Sequence, residues 1–63
     1  MYEELIEKLK KRNITKDELI KLKEIVERRI KEFEEKGECE KAQTEAFILK
    51  MVENLLEKYS STS

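Results

Sequence analysis

Residues 33–39 read Phe33-Glu34-Glu35-Lys36-Gly37-Glu38-Cys39, and this stretch decides the fold. Gly37 is the only glycine in 63 residues, and there is no proline. One helical pattern runs into it and another runs out. A glycine just past a helix end adopts the left-handed conformation at little cost, so the expected fold is all-α: an antiparallel helical hairpin bent at Gly37. The whole of 1–63 is one small domain.

The arm before the bend covers about 16–36. Its apolar seam at heptad spacing is Leu19, Leu22, Val26, Arg29 and Phe33, with Ile25 and Ile30 flanking it. Ile20 points away and needs a contact of its own, for which the N-terminal segment is a candidate. The start of this arm carries two agreeing signals. Thr15 and Glu18 have the spacing of a capping box, and Ile14 with Leu19 that of a hydrophobic staple. The arm after the bend covers about 39–59, with the seam Ala42, Glu45, Leu49, Val52, Leu56 and Tyr59. Phe47, Ile48, Met51 and Leu55 widen its apolar face beyond what one neighbouring helix can cover. Residues 60–63, Ser60-Ser61-Thr62-Ser63, are expected to be a frayed tail.

Residues 2–12 form a short amphipathic helix with Tyr2, Leu5, Ile6 and Leu9 on one face. Acids early and bases late suit the helix dipole. A helix this short is marginal alone and must pack on something. Either it is a separate element ending before Thr15, or it continues into 16–36 as one helix, since no proline forbids that.

In such a hairpin, positions equidistant from Gly37 face each other. Leu22 then meets Val52, Val26 meets Ile48, and Leu19 meets Leu55. Phe33 comes down near the small side chains of Cys39 and Ala42. The same register brings Arg29 opposite Glu45, each the one charged residue in its own seam. An Arg29–Glu45 ion pair, within one chain or between subunits, would set hairpin register or dimer pairing; alternatively both side chains reach from the seam edge to water.

Composition sets further limits. With 14 basic and 15 acidic residues interspersed, net charge is −1, which argues against a general nucleic-acid or membrane-surface binder. No apolar run approaches the length of a membrane span, and nothing reads as a signal peptide, so an intracellular protein is expected. Abundant Lys and Glu beside one Gln and two Asn lean towards a heat-adapted source. There is no histidine and one cysteine, so no metal or other cofactor is expected. Cys39 reads as a packing residue without an activating base, or as one half of an intermolecular disulfide. The carboxylates sit among lysines as surface pairs, and there is no phosphate-cradling loop. The expected protein is not an enzyme.

A core this small gains from a second subunit. The candidate dimer-interface residues are Ile25, Ile30, Phe47, Ile48, Met51 and Leu55, giving an antiparallel four-helix bundle. The other architecture is a monomeric three-helix bundle with 2–12 folded back. A basic cluster of Lys8, Lys10, Lys11, Arg12 and Lys16 is the candidate nucleic-acid patch, with further bases Lys21, Lys23, Arg28 and Lys31. Phosphate contacts would form there, but no exposed aromatic is evident for stacking.

Three stretches, MYEELIEKLKKRNITKDELIKLKEIVERRIKEF, EKGECEKAQ and ENLLEKYSSTS, resemble small proteins of the Sulfolobus spindle-shaped viruses, the fuselloviruses. The likeness covers the whole chain without a short motif. It implies a helix-turn-helix monomer that forms a dimeric four-helix bundle, similar in architecture to the plasmid RNA-binding dimer Rop. It also implies an adaptor role in macromolecular assembly in the cytoplasm of an archaeal host. The likeness to Rop is one of fold and transfers no RNA binding. Beside a homodimeric adaptor for another protein, the alternatives are a small RNA- or DNA-binding regulator and an inhibitor of a host protein.

Overall fold

A computed structural model describes residues 2–61. Three helices follow one another: α1 (Tyr2–Lys10), α2 (Lys16–Glu35) and α3 (Cys39–Ser61). α2 and α3 form the hairpin, and α1 folds back as a separate element. Helical backbone runs through Ser61, two residues into the stretch expected as a frayed tail; Thr62 and Ser63 lie outside the described residues.

The bend at Gly37 is a complete Schellman motif. Lys36 is the C-cap of α2, and Gly37 has φ +76°. The Glu38 N–H donates to the Phe33 carbonyl at 2.8 Å and the Gly37 N–H to the Glu34 carbonyl at 3.1 Å. Two orphan carbonyls at the end of α2 are thereby satisfied.

The break between α1 and α2 has causes on both sides. Thr15 caps α2: its Oγ1 accepts from the Glu18 N–H at 3.2 Å, while Glu18 Oε1 accepts from the Thr15 N–H at 3.1 Å. Ile14 and Leu19, the staple pair, are both buried. On the other side α1 ends in a second Schellman motif. The Asn13 N–H donates to the Lys8 carbonyl at 2.9 Å and the Arg12 N–H to the Leu9 carbonyl at 3.1 Å. Here the left-handed position is held by Arg12, with φ +56°.

The core joins Leu5 and Leu9 of α1, Ile14 of the connection, Leu19, Leu22 and Val26 of α2, and Val52 of α3. Three side chains of α2 are shut off from water, Leu19, Leu22 and Val26. α1 lies over one face of the hairpin only, where Lys8 pairs with Glu18. At about 100° per residue, that face carries Ile25 of α2 and Ile48 and Leu55 of α3, all partly buried against the core. Ile20 is on the far side of α2 and remains 43% exposed; the expected contact with the first helix does not form, because α1 is drawn to the Glu18 side. Nor does α1 reach the bend. Tyr2, its first residue, stands level with Arg29 and Glu45, so the hairpin between that level and Gly37 is two helices thick. The molecule measures 40 × 22 × 15 Å.

Candidate functional site

At the free end of α1 the three helices meet in a polar cluster. Arg29 Nε donates to Glu45 Oε1 at 2.6 Å, within one chain. The Tyr2 hydroxyl donates to the same oxygen at 2.7 Å. The Arg29 guanidinium also lies 4.3 Å from the centre of the Tyr2 ring and 5.5 Å from that of Phe33, within the range of cation–π attraction. The pair is asymmetric. The Glu45 side chain is only 9% exposed and the Arg29 side chain 41%, so the arginine reaches water while the carboxylate depends on its partners. Among the described residues no buried side-chain nitrogen or oxygen lacks a partner.

The electrostatics follow from that burial. Desolvation, and then the hydrogen bond and charge of Glu45, push the Tyr2 phenol up to about 12, against an opposing pull from Arg29. Arg29 is raised too, chiefly by its hydrogen bond to Glu45, and stays a cation at any ordinary pH. The Glu45 side chain thus sits between the Arg29 guanidinium and the Tyr2 phenol, and ties α1, α2 and α3 together.

Tyr2 was not singled out with this pair by sequence reasoning. A signal existed: a tyrosine on an apolar helix face carries a hydroxyl that needs a partner when buried. A second tyrosine does the same at the other end. The Tyr59 hydroxyl donates to the Ile14 carbonyl at 2.8 Å, holding the α1–α2 connection to α3.

The candidate nucleic-acid patch is divided. Lys8 donates to Glu18 Oε2, which raises the lysine and, with the Thr15 N–H bond, lowers the glutamate. Lys11 lies 3.9 Å from Glu7. Lys10, Arg12 and Lys16 are exposed and make no ion pair that is seen among the described residues. The candidate interface residues are divided as well. Ile25, Ile48 and Leu55 are on the face that α1 occupies, each partly buried. Ile30 sits on the opposite face, with Ala46, Leu49 and Glu53. Phe47 and Met51 are 68% and 38% exposed, and Met51 lines a depression with Leu9 of α1. Cys39 is exposed at the start of α3, and the Phe33 ring has Lys41 at 5.9 Å.

No family model, curated protein or solved structure matches this chain. Among the described residues no group of three or more Cys, Asp or Glu is placed to hold a metal ion, and no helix is long and apolar enough to cross a membrane.

Proposed function

We propose that the protein is a non-enzymatic homodimeric adaptor. Two hairpins pair through the face opposite α1, making an antiparallel four-helix bundle with each α1 on the outside. The observation that carries this reading is the one-sided placement of α1. It lies on the side of Ile25, Ile48 and Leu55 and leaves Ile30, Leu49 and Leu56, only partly buried, without a helix above them.

The likeness to fusellovirus proteins is the basis for placing the adaptor in macromolecular assembly inside an archaeal host. The nucleic-acid reading is weaker, because Lys8 and Lys11 of the basic cluster already face Glu18 and Glu7. Sedimentation equilibrium tests the dimer. A parent dimer that dissociates when Ile30→Glu and Leu49→Glu are combined supports the reading, and a parent monomer at micromolar concentration sinks it.

A further inference from the structure

The adaptor reading calls for a protein partner but does not say where it binds. Beside α1, and away from the proposed dimer face, α1 and α3 enclose a depression of about 190 Å³ lined by Leu9, Arg12, Met51, Asn54, Leu55 and Lys58. Leu9, Met51 and Leu55 supply its apolar side chains, its charged lining is cationic, and no carboxylate lines it. One turn away along α3, Phe47 is 68% exposed. Phe47, Met51 and Leu55 thus form an i, i+4, i+8 stripe that runs into the depression.

Arg12 is an independent sign that the depression matters. It occupies the left-handed position of a helix-ending motif, where an arginine is strained and a glycine is not; the same position at the end of α2 is held by Gly37. Backbone strain held at one side chain is a pointer to that side chain's use. What the position gains over glycine is a cation beside the apolar side chains of Leu9, Met51 and Leu55.

We infer that the α1–α3 groove takes one amphipathic helix from a partner protein, with apolar anchors at about i, i+4 and i+7 on the Phe47–Met51–Leu55 stripe and Asp or Glu at the end that meets Arg12. The acidic end is set by charge complementarity with Arg12, which is exposed and lines the depression. This deepens the adaptor reading by naming the partner's chemistry, and it does not require the dimer.

The probe is a phage-displayed library of helical peptides of random sequence, panned on the full chain. Selected peptides are expected to share the apolar spacing with an acidic cluster at one end. Their affinity by fluorescence anisotropy is expected to fall at least tenfold on Arg12→Gly, which removes the side chain while easing the backbone, and on Met51→Glu. It is expected to be unchanged on Lys31→Glu, on the outer side of α2. Selected peptides without acidic bias, or binding that survives both groove variants, would overturn the proposal. So would an empty selection, a groove closed by a second copy (Met51→Glu yielding monomers from a dimer), or an RNA oligonucleotide whose binding alone depends on Arg12. Sedimentation of the same proteins reads the dimer separately: peptide binding by a monomer sinks the dimer and leaves the groove standing.

Discussion

Arg12 and Gly37 stand at the same position of the same helix-ending motif, with φ of +56° and +76°. Both motifs carry the same pair of backbone hydrogen bonds, so the two sites differ mainly in what the residue type costs. An L-residue in the left-handed region costs about 1–2 kcal/mol, part of which glycine returns through its freer unfolded chain. Arg12→Gly is therefore expected to stabilise the protein by about 0.5–1 kcal/mol. At Gly37 an added Cβ would meet nothing within 4 Å, so only the backbone term acts, and Gly37→Ala should cost about 1 kcal/mol. Urea unfolding followed by helix ellipticity checks both. Midpoints that move in the same direction would contradict the shared motif.

The Arg29–Glu45 pair should respond unequally to loss of each member. Arg29→Met strands a carboxylate that is nearly sealed from water, leaving it only the Tyr2 hydroxyl. Removing one partner of a fully buried pair costs about 3–5 kcal/mol; the exposed guanidinium lowers the expected cost here to about 2 kcal/mol. Glu45→Leu frees a cation that already reaches solvent and should cost less. The double variant should recover at least about 1 kcal/mol of the sum. Additive single effects in a double-mutant cycle would show that the pair does not couple.

Tyr2 makes alkaline pH destabilising. Its phenol is held up to about 12 in the fold against about 10 in the unfolded chain. Between those values the unfolded state has given up its proton and the folded state has not, so stability falls as pH rises. The contribution is fully present below pH 10 and lost as pH passes 12. Lysines titrate in the same window, so the measurement is a difference: wild type should lose more stability than Tyr2→Phe from pH 9 to 11.5. At pH 7, Tyr2→Phe should cost about 1 kcal/mol for the lost hydrogen bond.

Thr15→Ala removes one half of the capping box. The expected loss is about 1 kcal/mol, read from the urea midpoint. Glu18→Gln should cost less at the cap, since an amide oxygen still accepts from the Thr15 N–H, while it gives up the ion pair to Lys8. If Thr15→Ala is neutral, the start of α2 is held by Ile14 and Leu19 alone.

The hairpin was legible because its signals are local and unambiguous. Thr15, Glu18, Ile14 and Leu19 mark one helix start twice over, and a lone glycine marks a bend. Equidistance from Gly37 also put Arg29 and Glu45 at one level. The end of α1 was not legible in the same way: Arg12 is a good helix former by propensity and nothing in its type announces a left-handed stop. Which face α1 would cover was hidden too, because the choice rests on long-range pairs, Tyr2 with Glu45 and Lys8 with Glu18, separated by 43 and 10 residues. That choice left Ile20 and Phe47 in water, put α1 on the side of Ile25, Ile48 and Leu55, and opened the depression between Leu9 and Met51.

The two tyrosines have a further consequence. The chain has no tryptophan and no other tyrosine. One phenol binds a carboxylate at the start of α1, and the other binds an amide carbonyl four residues past its end. Nearly all of the protein's near-ultraviolet absorption and emission therefore comes from two chromophores that bracket a single nine-residue helix. Detachment of that helix from the hairpin would be visible by difference spectroscopy on the unlabelled chain. Single Tyr→Phe variants would tell which end lets go first.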